Sequence, residues 1–185
     1  SEELNRFNDY IIDNSYFNLP VVGIEPSCLL TFSDEYQKLK NVKNKDKIKN
    51  KFYLLEEFVL EEIKNDNKIK MNKFDQNVLI HGHCHQKSQD RMKGLKNLLS
   101  ELDIKNEMID SSCCGMAGSF GYDSKNYEVS KKMANLSLIP VINKSDEKDF
   151  IIANGTSCRY QISDLSKKEG KHVSELLFQI FETVN

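Results

Sequence analysis

The chain has 185 residues, enough for one domain with a substantial core and no need of disulfide staples. With 39% apolar residues, 29% charged residues and a formal net charge of −2, it has the balance of a soluble globular protein and no basic field for nucleic acid. No apolar run has the length of a membrane span, no signal peptide is recognisable, and five cysteines, an odd number without framework spacing, point to a reducing, cytoplasmic setting.

In chain order, Leu4, Phe7 and Ile11 recur at helical spacing and predict a short first helix. Pro20 to Ile24 reads as a buried strand bounded by Pro26. Leu29, Phe32, Tyr36 and Leu39 then mark one face of a helix that begins near Cys28. Asn41 to Lys51 reads as a loop. Phe52, Leu55, Val59 and Ile63 form a further helical stripe, with Glu56, Glu57, Glu61 and Glu62 mostly outward, and Asn65 to Lys73 is a polar connector.

From there the pattern is strand, helix, strand, helix. Val78 to Ile80 is a short strand, and Met92, Leu95, Leu98, Leu99 and Leu102 fit a helix. Glu107 to Ile109 is a strand, Gly115, Gly118 and Gly121 make a flexible turn, and Tyr127 to Leu136 is helical. Phe150 to Ala153 is a strand, and Val173, Leu176, Leu177, Ile180 and Phe181 close the chain as an amphipathic helix. The alternation predicts an α/β fold, a Rossmann-like, mostly parallel sheet with flanking helices. Sites in such sheets gather at the carboxyl ends of strands.

All five cysteines fall at such ends: Cys28, Cys84, Cys113, Cys114 and Cys158. Thiolates gathered there suit a soft metal or an iron–sulfur cluster. A short internal echo supports pseudo-repeated strand–Cys–helix units, because Val21-Val22-Gly23-Ile24-Glu25-Pro26-Ser27-Cys28 parallels Ile151-Ile152-Ala153-Asn154-Gly155-Thr156-Ser157-Cys158.

Cys113-Cys114-Gly115 is the sharpest motif. Two adjacent thiolates reach one small ion only with strain but can ligate different irons of a cluster, and the glycine lets the backbone come close. Together with His81-Gly82-His83-Cys84-His85 before it and Cys158 after it, this resembles the cysteine-rich CCG domain of heterodisulfide reductases and of the iron–sulfur parts of glycolate, lactate and glycerol-3-phosphate oxidising enzymes.

A closer likeness rests on Glu25-Pro26-Ser27-Cys28, His83-Cys84-His85-Gln86-Lys87, Cys113 through Tyr122, and Gly155-Thr156-Ser157-Cys158-Arg159. These are similar to the C-terminal region of FAD-linked dehydrogenases of D-2-hydroxy acids such as D-lactate or D-2-hydroxyglutarate, and the likeness spans residues 20 to 182. It implies that residues 1–70 are the C-terminal part of a first CCG-type repeat and residues 71–185 the second, together one cysteine-rich domain. The opening at Ser1-Glu2-Glu3 without Met agrees with a fragment of a larger chain.

The resemblance implies an iron–sulfur cluster of the 4Fe–4S type, held by Cys84, Cys113, Cys114 and Cys158 with Cys28 as a fifth candidate. FAD would sit in the parent enzyme and not in this chain. The implied partners are that flavin domain and an electron acceptor, a quinone or a carrier protein. The implied place is the cytoplasm, with peripheral attachment to the inner membrane as a variant. No general base for a hydroxy acid is evident, so the chain alone is expected to have no dehydrogenase activity.

The pattern also departs from the family. Gly155 stands where the first cysteine of a terminal Cys-x-x-Cys is expected, and Glu25 stands at the matching place in the first half. A five-thiolate, non-cubane cluster and a second cluster are therefore not expected. Helix N-termini after Cys28 and Cys158 would offer amides and a positive dipole end to thiolates. Arg159 and Lys87 would add positive charge, and Gly115 begins a loop that could bring further amides close.

His81, His83 and His85 alternate and would share one strand face, donating hydrogen bonds around the site, filling core, or joining Cys84 in a zinc site. His172 is most simply a surface residue at a helix start. Two rival functions stand beside electron transfer: a zinc-stabilised binding module, and a vicinal-dithiol redox module working through Cys113 and Cys114.

Overall fold

A computed structural model describes residues 2–13, 18–66 and 71–181. The first half opens with α1 (Glu2–Asp13) and continues through β1 (Val21–Gly23), α2 (Pro26–Thr31), α3 (Glu35–Lys38), α4 (Lys45–Ile48), β2 (Phe52–Leu54) and α5 (Leu55–Asn65). The second half runs β3 (Val78–His81), α6 (Cys84–Ser88), α7 (Met92–Glu101), β4 (Asn106–Met108), α8 (Tyr127–Leu136), α9 (Leu138–Lys144), β5 (Phe150–Ala153), α10 (Thr156–Leu165) and α11 (Val173–Ile180).

Among the described residues, every pairing between the named strands is parallel, as the strand–helix alternation predicts. β1 pairs with β2, Val21 opposite Phe52, and β3 lies between β4 and β5 in a second sheet. Every residue of β3 and β5 is buried, which suits short apolar strands covered by helices on both faces.

Alternation along those strands sorts the core. Val78, Ile80, Phe150 and Ile152 face one way and pack with Leu60 and Ile63 of α5, the leucines of α7, and α11. Leu79, Ile151 and Ala153 face the other way and pack with Ala134, Leu138, Ile142 and Ile162 from α8, α9 and α10. Cys114, Met116 and Cys158 belong to this second cluster, so the strand ends feed directly into the cysteine site. A third cluster holds the first half together around Leu29, Leu30, Tyr36, Ile48, Phe52 and Leu54.

Five local expectations are corrected. Pro20 to Ile24 is not a buried strand: β1 spans only Val21–Gly23, and Val22 and Ile24 are exposed. Phe52 to Leu54 is a strand and not the start of a helix, because pairing with β1 overrides a spacing that also fits a helical stripe. The helix expected from Cys28 to Leu39 begins earlier, at Pro26, and breaks after Thr31. Phe32 then caps α2, stacks 4.8 Å from Phe52, and leaves Leu39 exposed.

Asn41 to Lys51 contains α4 and a following 3₁₀ turn. Glu56 and Glu57 are not outward. Glu56 is buried, and Glu57 receives the Arg91 guanidinium and the Leu54 amide. The connector expected over 65–73 lies partly outside the described residues. Among the described residues, no helix is long and apolar enough to cross a membrane.

Candidate metal centre

Three strand ends bring the thiols together. β3 ends at His81 and, after two residues, the chain enters α6, whose first residue is Cys84. The loop after β4 carries Cys113 and Cys114. Cys158 is the third residue of α10, which follows β5. These four cysteines line one pocket of about 610 Å³, together with Glu25, Ser27, His83, His85, Thr156 and Ser157. The Cys114 and Cys158 sulfurs are buried and lie 3.2 Å apart. Cys28 is exposed and does not line the pocket. All five cysteines are free thiols.

The loop is shaped by one glycine. Gly115 has φ +90°, and a Cβ there would come within 2.3 Å of the Ser130 carbonyl oxygen, so no side chain is tolerated. The same turn lets the Gly115 N–H donate to Cys113 Sγ at 3.2 Å. Lys87 ties the loop down through Nζ, which donates to the carbonyls of Ser111 and Ser112. Arg159 donates to the carbonyls of Ala153 (3.0 Å) and Asn154 (2.7 Å) at the end of β5. Both cations thus hold backbone in place.

Four thiols this close cannot all ionise without a compensating cation. Hydrogen bonding to Cys113, then burial, pushes the Cys84 thiol up, and bonds to Cys113 and Cys158 do the same to Cys114. Their partners move down: Cys113 through its bonds with Cys114 and Cys84, Cys158 to about 5 through its bond with Cys114. A metal group would displace the shared protons and pair with all four sulfurs. The donor set therefore fits a thiophilic metal or an iron–sulfur cluster.

The three histidines do not share a strand face. His81 ends β3, His83 caps α6, and His85 lies within that helix. His83 Nδ1 accepts the His85 N–H, and its Nε2 lies 4.0 Å from Glu25. Burial pulls its pKa down, opposed by Cys158 and Glu25. The His83 ring also explains Gly155: a Cβ at 155 would meet His83 Cδ2 at 2.3 Å. The space a Cys-x-x-Cys cysteine would need is filled by imidazole. His81 is 1% exposed; its Nδ1 lies 2.8 Å from Ser111 Oγ, and its Nε2 has no hydrogen-bond partner.

Glu25 joins the halves. One carboxylate oxygen accepts from Ser27 at the start of α2, and the other accepts from the Thr156 N–H and hydroxyl, both at 2.8 Å, at the start of α10. Gly155 offers α10 no capping side chain, and a residue 131 positions away in sequence supplies it. Burial raises the Glu25 pKa, but the bonds from Thr156 and Ser27 outweigh that and leave it below the usual carboxylate value.

Two site supports have no sequence signal. Glu56 accepts from Gln86 Nε2 (2.7 Å) and Asn154 Nδ2 (3.1 Å), bracing the segments that carry Cys84 and Cys158, and burial pushes its pKa up to about 7. His172 is buried, not superficial: it sits 2.8 Å from the Ile24 carbonyl and caps α11. A run of two glutamates looks like a helix surface, and a lone histidine before a helix looks like a surface residue.

Residues 78–163 match the family profile of the cysteine-rich domain CCG, which bears out the resemblance read from the motifs. D-2-hydroxyglutarate dehydrogenase of Pseudomonas putida is 24% identical over 163 residues, covering 87% of this chain and 15% of that protein. A subunit of the anaerobic glycerol-3-phosphate dehydrogenase of Escherichia coli K12 is 23% identical over 164 residues, covering 87% of this chain and 40% of its own length. D-2-hydroxyglutarate dehydrogenase of Haemophilus influenzae is 25% identical over 174 residues, covering 89% and 16%. The chain thus spans less than half of each of these relatives. No solved structure matches it.

Proposed function

We propose, given that residues 78–163 carry a cysteine-rich CCG domain, that this chain is an iron–sulfur electron-transfer domain of an FAD-linked 2-hydroxyacid oxidoreductase. Its place is between a flavin domain of the parent protein and an electron acceptor, a quinone or a carrier protein. The observation that carries the reading is the convergence of Cys84, Cys113, Cys114 and Cys158 from three strand ends on one pocket. The names of the relatives, dehydrogenases and a dehydrogenase subunit, support it from outside.

A four-iron cluster, when bound, supplies one-electron acceptance and release. The chain's own residues do the rest. The four thiolates hold the group, and the Gly115 N–H donates to the Cys113 sulfur, which favours the reduced, more negative state. Buried Cys114 and Cys158 keep water from the inner side. Residues 71–185 act as the second CCG-type repeat, and residues 1–70 close the pocket through Glu25 and Ser27.

The test is anaerobic purification and reconstitution with iron and sulfide, followed by metal and acid-labile sulfide analysis and EPR. The expected result is about four irons and four sulfides per chain. No metal after reconstitution would overturn it. A second reading, a zinc-stabilised binding module, is favoured by one observation: the donor atoms of His81, Cys114 and Cys158 lie within 4.8 Å of one another. It predicts a colourless protein with about one zinc that unfolds on chelation.

A further inference from the structure

We propose that His81 is a direct ligand of the metal group, through Nε2, alongside Cys114 and Cys158. This deepens the reading above and rests on a metal group being bound there. Among the described residues, His81 Nε2 is the buried side-chain nitrogen or oxygen without a hydrogen-bond partner, and the ring is 1% exposed. A buried polar atom left unpaired in a well-packed core needs a reason. The nearest chemistry is two thiols: the donor atoms of His81, Cys114 and Cys158 all lie within 4.8 Å of one another.

The placement follows from strand alternation. His81 ends β3 two residues after Leu79, so it shares the face that Leu79 turns toward Cys114 and Cys158. Its other nitrogen is already committed. Nδ1 lies 2.8 Å from Ser111 Oγ, and when Nδ1 carries the proton, Nε2 keeps a lone pair free for a metal. That is the arrangement of metal-bound histidines, whose second nitrogen is held by a hydrogen bond.

Three other candidate donors are engaged elsewhere or missing. Gly155 has no side chain, and the His83 ring fills the space a cysteine there would need. Both Glu25 oxygens are taken by Ser27 and Thr156, and Cys28 is exposed rather than grouped with the buried sulfurs. A four-iron cluster takes one protein ligand per iron, so His81 would stand in place of one of the four thiolates named above, a neutral imidazole offered at the end of β3. Replacing a thiolate by imidazole raises a cluster's potential.

The rival role for His81 is an Nε2–H donated to the Cys158 thiolate without ligation. Pulsed EPR of the reduced, reconstituted chain labelled with ¹⁵N-histidine separates the two. Ligation predicts a strongly coupled ¹⁵N that is lost in His81→Ala and kept in His83→Ala and His85→Ala. A loaded cluster with no strongly coupled nitrogen overturns the proposal and leaves the iron–sulfur function standing.

A second probe, Co²⁺ alone, covers failure of the first. His81→Ala is expected to weaken cobalt binding at least tenfold, on the order of the loss when a metal site loses a supporting group. His81→Cys is expected to restore binding with a stronger sulfur-to-cobalt band, and circular dichroism of each variant confirms that it folds. Cobalt bound through nitrogen in a chain that takes no cluster would keep His81 as a ligand and sink the iron–sulfur reading. Neither metal binding would sink both.

Discussion

The two Ser-Cys turns follow one local plan and end in opposite surroundings. Cys28 and Cys158 are each the third residue of a helix that begins just past a parallel strand, preceded by Pro26-Ser27 and Thr156-Ser157. Yet Cys158 is 3% exposed beside Cys114, while Cys28 faces solvent. The difference lies in what covers the helix start. α10 follows a strand of the three-stranded sheet, with the Cys113–Cys114 loop folded over it. α2 follows a strand of a two-stranded sheet, with no equivalent thiol loop among the described residues. A local motif sets where a thiol sits on its helix; the neighbouring elements decide whether it meets other thiols.

The largest expected effect tests that contrast directly. Cys158→Ser removes a buried sulfur from the group of four and is expected to abolish cluster loading, as is Cys113→Ser. Cys28→Ser is expected to load iron and sulfide like the parent. Iron and sulfide analysis after anaerobic reconstitution decides it, and a Cys28→Ser variant that loads nothing would erase the distinction.

The second prediction concerns Glu56, one of two acids that brace the pocket. Glu56 is buried, and its pKa rises from 4.5 to about 7, so the folded state binds its proton more tightly than the unfolded chain does. Stability from this group is complete below about pH 4.5 and declines as pH rises toward 7. A shift of that size corresponds to about 3 kcal/mol. Glu56→Gln keeps an acceptor for Gln86 and Asn154 and is expected to flatten the decline. Urea melts of the two proteins between pH 4.5 and 8 would show it; equal slopes would mean that Glu56 titrates normally.

Third comes restoration of the missing Cys-x-x-Cys. Gly155 has φ −75°, so its backbone accepts any residue, and the obstacle is the His83 ring at 2.3 Å from a Cβ. Gly155→Cys is expected to destabilise by about 2 kcal/mol through overpacking. Adding His83→Ala is expected to recover most of that. A double variant no more stable than the single one would show that His83 is not what holds the position empty.

The sheet was legible because its strands are short apolar runs and its helices carry clean stripes: Val78 to Ile80, Phe150 to Ala153, Tyr127 to Leu136. β2 was not, since Phe52 fits a helical spacing with Leu55 and Val59, and only the partner strand β1 decides for extension. α9 was missed because Ser137 breaks the chain between two helices, and Pro140 in its first turn reads as a stop. The cysteines could be gathered from motifs and strand ends. The separation of Cys28 from the rest could not, because it depends on packing between elements far apart in sequence. Glu56 and Ser111 act on the site through contacts with residues 30 positions away, which no local pattern records.

The smallest effect concerns Glu25, whose behaviour should mirror that of Glu56. Its carboxylate is partly exposed and accepts four hydrogen bonds from the starts of α2 and α10, which hold its pKa below 4.5. The folded state therefore releases this proton more readily than the unfolded chain, so its stabilisation is present above the ordinary carboxylate range and is lost as pH falls through the lowered value. Because water screens the group, Glu25→Gln is expected to cost only about 1 kcal/mol near neutral pH and less in acid. Two glutamates bracing one pocket would then carry opposite pH slopes: Glu56, deep beneath it, favours acid; Glu25, at its rim between two helix starts, favours neutrality. Thermal melts of the Glu25→Gln variant at pH 4 and pH 7 measure the sign. A larger loss in acid than at neutrality would mean that the bonds from Thr156 and Ser27 do not govern its charge.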